Sequence, residues 1–162
     1  MSDTTSNSTE VKTTGPEYLA WRGELLAQLA LSRLEGVTVY QRSDEQPFDF
    51  LVATNDGLCF FVEVEAFSST NQKIDDVETI EELQWQIPMK RVRQATGSQT
   101  PVLLFLFDAD SDHGRFLRLD TLPAPDKAAR QQTIAFPIEN VIDQKNLEAV
   151  IRELRLEKAK DS

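Results

Sequence analysis

Residues 47–67 read PFDFLVATNDGLCFFVEVEAF, and this stretch decides the fold. Two apolar runs flank an Asn-Asp-Gly triplet at positions 55–57, which is a strong signal for a β-hairpin. If the loop has three residues, Gly57 takes the left-handed conformation and Asp49 lies directly opposite Glu63. A loop of two residues shifts the register by one and sends Asp49 to the other face of the sheet. The turn length therefore decides whether these two acids meet.

Three acids of this hairpin form a candidate site. With the three-residue loop, Glu65 shares the face of Asp49 and Glu63, because strand side chains alternate with a period of two. Three carboxylates in an apolar setting are costly unless water, a cation or a proton compensates them. Alternating acids are also typical of the solvent-facing side of an antiparallel hairpin. The sequence leaves two interpretations open, a metal site and a solvated sheet face.

The composition is that of a globular protein with a large acidic excess. The chain has 162 residues, of which 40% are hydrophobic and 27% are charged, and this suits one substantial core. A net charge of −10 argues against broad non-specific affinity for nucleic acid. No apolar run approaches the roughly 20 residues of a membrane span, so we expect no membrane partner.

The single cysteine gives two further predictions. Cys59 cannot form an internal disulfide, which is consistent with a protein of the reducing cytoplasm. Its position within an apolar strand predicts a small core residue rather than a nucleophile.

The order of elements predicts an α/β fold with a mixed central β-sheet flanked by helices. Residues 1–15 are rich in Ser, Thr and Asn and are predicted to form a disordered tail, followed by a single domain at residues 16–162. Strands are predicted at residues 37–42, 48–54, 58–67, 100–108, 114–120 and 133–136. Helices are predicted at residues 16–34, from Asp75 to the basic residues 90–93 with a kink at Pro88, and at residues 146–158.

The order helix, strand, hairpin, helix, strand, with Asp on one hairpin strand and Glu-x-Glu on the next, resembles the restriction-endonuclease-like PD-(D/E)XK nuclease superfamily. Asp49 matches the first acid of that motif, Glu63 matches the second, and Glu65 occupies the lysine position. Residues 23–27, GELLA, resemble the Gly-Glu-x-x-Ala segment of the first helix, which makes Glu24 a candidate fourth acid. The resemblance implies a restriction-endonuclease-like αβββαβ core.

The resemblance covers about residues 16–120 and implies Mg²⁺-dependent hydrolysis of DNA phosphodiester bonds. It implies that Asp49, Glu63 and Glu65 are catalytic and that Asp49, Glu63 and Glu24 bind the metal. Mg²⁺ takes oxygen ligands, polarises the scissile phosphate and lowers the pKa of a bound water. Glu65 departs from the pattern because it reverses the charge at the lysine position, and Lys73 is a candidate substitute.

Three functions are compatible with these observations. The first is a metal-dependent nuclease that acts on DNA. The second is a catalytically inactive nuclease-fold protein that serves as a protein-interaction or regulatory module in bacteria, where its acidic surface would suit a basic protein partner. The third is an acidic decoy that mimics nucleic acid. The basic cluster at residues 90–93 could meet phosphate, although the end of a helix also explains it. No sequence pattern indicates an oligomeric state.

Overall fold

The computed structural model describes residues 16–43, 46–123 and 128–161. Within these residues the chain forms three α-helices, seven strands and one short 3₁₀-helix. The helices are Pro16–Ser32 (α1), Met89–Thr96 (α2) and Gln144–Lys160 (α3), and the 3₁₀-helix is Val77–Thr79. The strands are Val37–Gln41 (β1), Phe50–Thr54 (β2), Cys59–Phe67 (β3), Glu82–Pro88 (β4), Val102–Asp108 (β5), Gly114–Arg118 (β6) and Gln131–Pro137 (β7). The predicted tail at residues 1–15 lies outside the described residues.

Five of the described strands form one mixed sheet in the order β1-β2-β3-β5-β6. β1, β2 and β3 are an antiparallel meander, β5 runs parallel to β3, and β6 runs antiparallel to β5. Every residue of β5 is buried, because the strand lies between two neighbours and is covered on both faces. The prediction of a mixed α/β fold with a central sheet flanked by helices is confirmed.

The hairpin between β2 and β3 has the three-residue loop that brings Asp49 opposite Glu63. Gly57 has a φ of 88°, in the left-handed region that glycine adopts without strain. Phe50 pairs with Val62, so the next pair towards the open end of the hairpin is Asp49 with Glu63. The register predicted from the turn is confirmed.

The two faces of the sheet are covered by different elements. α1 and α3 pack on the first face, around a core that includes Leu31 and Ile151. α2 and a separate two-stranded ribbon of β4 and β7 cover the second face, around a core that includes Val92. Glu63 and Glu65 lie on the second face, because they alternate along β3 with residues of the first core. Glu63 and Glu65 therefore lie beneath α2 and the ribbon, whereas Glu24 belongs to α1, which packs on the first face.

The second predicted helix is wrong over most of its length. The acidic run that begins at Asp75 leads into the 3₁₀-helix and then into β4, which pairs antiparallel with β7. Along β4 Leu83 and Ile87 are buried and the glutamines between them are exposed, which is a pattern of period two. Pro88 does not kink a helix but precedes the first turn of α2, where a proline is tolerated.

The first and last helices were predicted to within a few residues. α1 ends at Ser32, and Gly36 with a φ of 67° then turns the chain into β1. α3 begins after Asp143, whose side chain accepts a hydrogen bond from the N–H of Asn146. None of the helices in the described part of the chain is both long and apolar enough to cross a membrane.

The prediction that Cys59 is a core residue is wrong. Cys59 is the first residue of β3 and is exposed, whereas the next residue, Phe60, is buried on the other face. The apolar run that contains Cys59 therefore has one covered face at this end of the hairpin, and the cysteine lies on the open one.

Candidate active site

Asp49 lies immediately before β2 and links three neighbouring strands. Its carbonyl oxygen accepts a hydrogen bond from the N–H of Arg42 at 2.8 Å, which continues the β1-β2 ladder by one residue. Its carboxylate is directed to β3, where Oδ2 accepts a hydrogen bond from the N–H of Val64 at 2.8 Å. Burial raises the pKa of Asp49, while the hydrogen bond from Val64 and the charges of Arg91 and Arg42 reduce that rise.

Glu63 is the most buried acid of this group, with 6% of its surface exposed. Its Oε1 lies 3.3 Å from Nε of Arg91, and its buried Oε2 accepts no hydrogen bond from a described donor. A side-chain hydrogen bond between Glu63 and Asp49 lowers the pKa of Asp49, so a protonated Glu63 is the donor to that carboxylate. Burial, followed by the charge of Asp49, raises the pKa of Glu63 to about 8. A carboxyl with that pKa is largely protonated at neutral pH. A proton and an arginine therefore compensate Glu63 in this structure.

Two further acids approach Asp49, one from β3 and one from α1. Glu65 is half-buried, and burial followed by the charge of Asp49 raises its pKa. Burial and the charge of Asp49 also raise the pKa of Glu24. The preceding residue, Gly23, lets α1 pack closely on β3, since a Cβ at this position would lie 3.0 Å from the Cβ of Ala66. The charge of Asp49 thus acts on each of the other three acids named from the sequence.

A cation from α2 faces these acids. Arg91 lies in the first turn of α2, and its guanidinium spans from Glu63 to Pro47, whose carbonyl oxygen accepts a hydrogen bond from Nη1. The charge of Arg91 lowers the pKa of all three hairpin acids, against the larger effect of burial. Lys73, the substitute considered from the sequence, is exposed in the loop after β3 and is not among the cations that act on these acids. The positive charge nearest the acids comes instead from Arg91.

The oxygen donors of this group suit a hard divalent cation. One or two carboxylates suffice for Mg²⁺, which otherwise keeps water and takes phosphate oxygens. A cation here would relieve the repulsion between Glu63 and Asp49. Across residues 16–43, 46–123 and 128–161, no group of three or more His, Cys, Asp or Glu side chains could hold a metal ion. The acids fit an ion that would keep much of its water shell, with Asp49 and Glu63 as its protein ligands.

The single histidine and one tryptophan, whose side chains are common in active sites, make structural contacts elsewhere. His113 precedes β6, and its Nε2 accepts a hydrogen bond from Nε of Arg115 at 3.2 Å. The ring of Trp85 is half-buried on β4, with its centroid 5.9 Å from that of Phe67.

Comparison with known proteins adds no relative to these observations. No protein-family model, no curated protein and no solved structure matches this chain. The four acids, the arginine from α2 and the order of the elements are therefore the observations from which we propose a function.

Proposed function

We propose that this protein is a divergent member of the PD-(D/E)XK superfamily that hydrolyses DNA phosphodiester bonds with Mg²⁺. The observation that carries the proposal is the buried Glu63, which lies opposite Asp49 in the confirmed register and shares a side-chain hydrogen bond with it. Natural proteins rarely keep a buried acid in such a position without a use for it. The order of α1, the β1-β2-β3 meander, α2 and β5 supports the αβββαβ core that the resemblance implies, with the 3₁₀-helix and β4 inserted between β3 and α2.

Each residue of the site has a role in this proposal. Asp49 and Glu63 would bind Mg²⁺, with Glu24 in support from α1. The bound ion would polarise the scissile phosphate and lower the pKa of a water. Glu65, which occupies the lysine position, would accept the proton of that water, and burial raises its pKa. Arg91 would counter the negative charge that develops on the phosphate.

One observation favours the second function, a catalytically inactive interaction module. Arg91 already neutralises Glu63, so a cation is present without any metal. In that case the nuclease-like core would be a scaffold, and the net charge of −10 would suit a basic protein partner. A single cysteine places either version of the protein most simply in the cytoplasm.

Relaxation of supercoiled plasmid tests the first function. We expect nicking at low salt that requires Mg²⁺ or Mn²⁺ and stops with a chelator. The Asp49→Asn variant should nick about a hundredfold more slowly, because losing one metal ligand removes roughly 3 kcal/mol of transition-state stabilisation. Asparagine still accepts the hydrogen bond from Val64, so the fold should be kept.

The matched control is Asp56→Asn in the hairpin loop, where the acid is exposed and pairs with Arg155 at 2.9 Å. This variant should nick at the rate of the wild type. Nicking that survives Asp49→Asn at full rate would contradict the proposal, as would the absence of nicking with either metal. The absence of nicking would favour the interaction module.

A further inference from the structure

A second arginine, Arg42 at the end of β1, also acts on these acids. Arg42 follows β1, and its N–H bonds to the carbonyl of Asp49, so the two residues form the outermost pair of the β1-β2 ladder. Asp49 is in turn the partner of Glu63 across the hairpin. Arg42, Asp49 and Glu63 therefore form one row across three neighbouring strands, in which directly opposite residues are about 5 Å apart.

Arg42 is exposed, and it makes no ion pair with another described residue. Its charge nevertheless reaches the site, since it lowers the pKa of Asp49, Glu63 and Glu24. Most other arginines of the described chain have a carboxylate or carbonyl partner, such as Arg118 with Asp120 at 2.7 Å. Among the described residues, the Arg42 guanidinium therefore has no carboxylate that pairs with it, although it acts on a cluster of acids.

The two arginines differ in how they are held. Arg91 is fixed by Glu63 and by the carbonyl of Pro47, with 29% of its side chain exposed. For Arg42, the contact given among the described residues is that of its backbone N–H with Asp49. The acids are thus acted on by one anchored guanidinium and by one without a described partner, and the planar fork of each matches phosphate oxygens.

We propose that Arg42 and Arg91 contact phosphates of one nucleic-acid strand on either side of the acids, with Arg42 as the residue that gains its partner on binding. This inference rests on the proposed function, because it identifies the substrate contacts of the same site. The net charge of −10 argues against broad affinity for nucleic acid. Binding at this site needs only local positive charge, which the two arginines supply. The contact is to the backbone, so it carries no sequence preference.

The test measures binding of a fluorescent DNA duplex by anisotropy in the presence of EDTA, so that neither metal nor cleavage contributes. Each lost phosphate contact reduces the slope of log K against log salt by about 0.9. We expect Arg42→Ala to show this reduction and to bind about tenfold more weakly at low salt. Arg42→Lys keeps the positive charge, so its slope of log K against log salt should equal that of the wild type. A merely structural role of Arg42 would not require the slope to follow this charge.

The control is Arg152→Ala, which removes an exposed arginine of α3 on the other face of the sheet. It should bind like the wild type. Equal slopes for Arg42→Ala and wild type, an equal loss in Arg152→Ala, or no binding by the wild type would overturn the inference. A wild type that binds through Arg42 but never nicks plasmid with Mg²⁺ or Mn²⁺ would contradict the proposed nuclease and leave the arginine contacts standing. If the wild type nicks plasmid and Arg42→Ala binds DNA like the wild type, the arginine contact would be contradicted and the proposed nuclease would stand.

Discussion

Replacement of Glu63 by glutamine is expected to stabilise the protein at pH 8 and to flatten the decline of its stability above pH 5. The cause is the pKa of Glu63, which burial and Asp49 raise from 4.5 to about 8. The folded state therefore holds a proton that the unfolded chain has released. The contribution of this proton to the free energy of unfolding is fully present below 4.5, the pKa in the unfolded chain. It is lost as the pH rises towards the folded pKa of about 8.

The size of this effect follows from the shift in pKa. At 1.36 kcal/mol per unit, the ionisation of Glu63 costs the folded state on the order of 4 kcal/mol by pH 8. Glutamine has no proton to lose, so the variant avoids this loss. Asp49, Glu65 and Glu24 have pKa values raised by the same surroundings, so some decline with pH should remain in the variant.

Urea unfolding at a series of pH values from 5 to 8 measures the difference between the two proteins. Glu82→Gln, at an exposed position of β4, is the matched control and should follow the wild type at every pH. Parallel curves for wild type and Glu63→Gln would show that Glu63 ionises normally in the folded protein. In that case the site would lack its main electrostatic feature, which is the raised pKa of Glu63.

Replacement of Arg115 by methionine is expected to destabilise the protein by about 3 kcal/mol or more. Arg115 is fully buried on β6 and donates to the carbonyl oxygens of Val77 at 2.9 Å, Ile80 at 2.6 Å and Phe136 at 3.1 Å. Methionine fills much of the volume but leaves these acceptors without donors, and each buried unsatisfied group costs about 1 to 3 kcal/mol. Burial lowers the pKa of Arg115, with Glu139 acting in the opposite sense.

The contacts of Arg115 also matter for the site. They hold the 3₁₀-helix and β7 against the main sheet, and β4 leads directly from this region into α2 and Arg91. The control is Arg155→Met, because Arg155 pairs with Asp56 on the surface and should contribute within about 0.5 kcal/mol. A loss of less than 1 kcal/mol for Arg115→Met in urea unfolding would show that these carbonyls do not need the arginine.

The sequence predicted those parts of the fold that depend on residues close together in the chain. Asn55, Asp56 and Gly57 fix the loop, the loop fixes the register, and the register brings Asp49 opposite Glu63. The strand at 102–108 was predicted from its continuous apolar run, since only a strand covered on both faces needs one.

The error at residues 75–88 has a different physical origin. An acidic run followed by basic residues matches the dipole of a helix, and this outweighed the period-two pattern of β4. The partner of β4 is β7, in which Trp85 pairs with Ile134. A strand that depends on a partner so distant in the chain carries little local signal, because its stability comes from tertiary packing.

The sequence named the acids of the candidate site in advance but not its cation, Arg91. Asp49, Glu63 and Glu65 share one hairpin, so its register could place them together, whereas Glu24 was named only from the resemblance of residues 23–27. Arg91 reaches Glu63 only because α2 starts after Pro88 and packs on the second face of the sheet. The basic cluster at residues 90–93 was visible in the sequence, but its place at the start of α2, rather than at the end of a long helix, was not.

Isothermal titration with Mn²⁺ at pH 8 tests most directly whether the acids around Asp49 form a metal site. We expect the wild type to bind one ion, Asp49→Asn and Glu63→Gln to bind at least about tenfold more weakly, and Asp56→Asn to bind like the wild type. No heat of binding in the wild type, or the same binding in all four proteins, would contradict a metal site at Asp49 and Glu63.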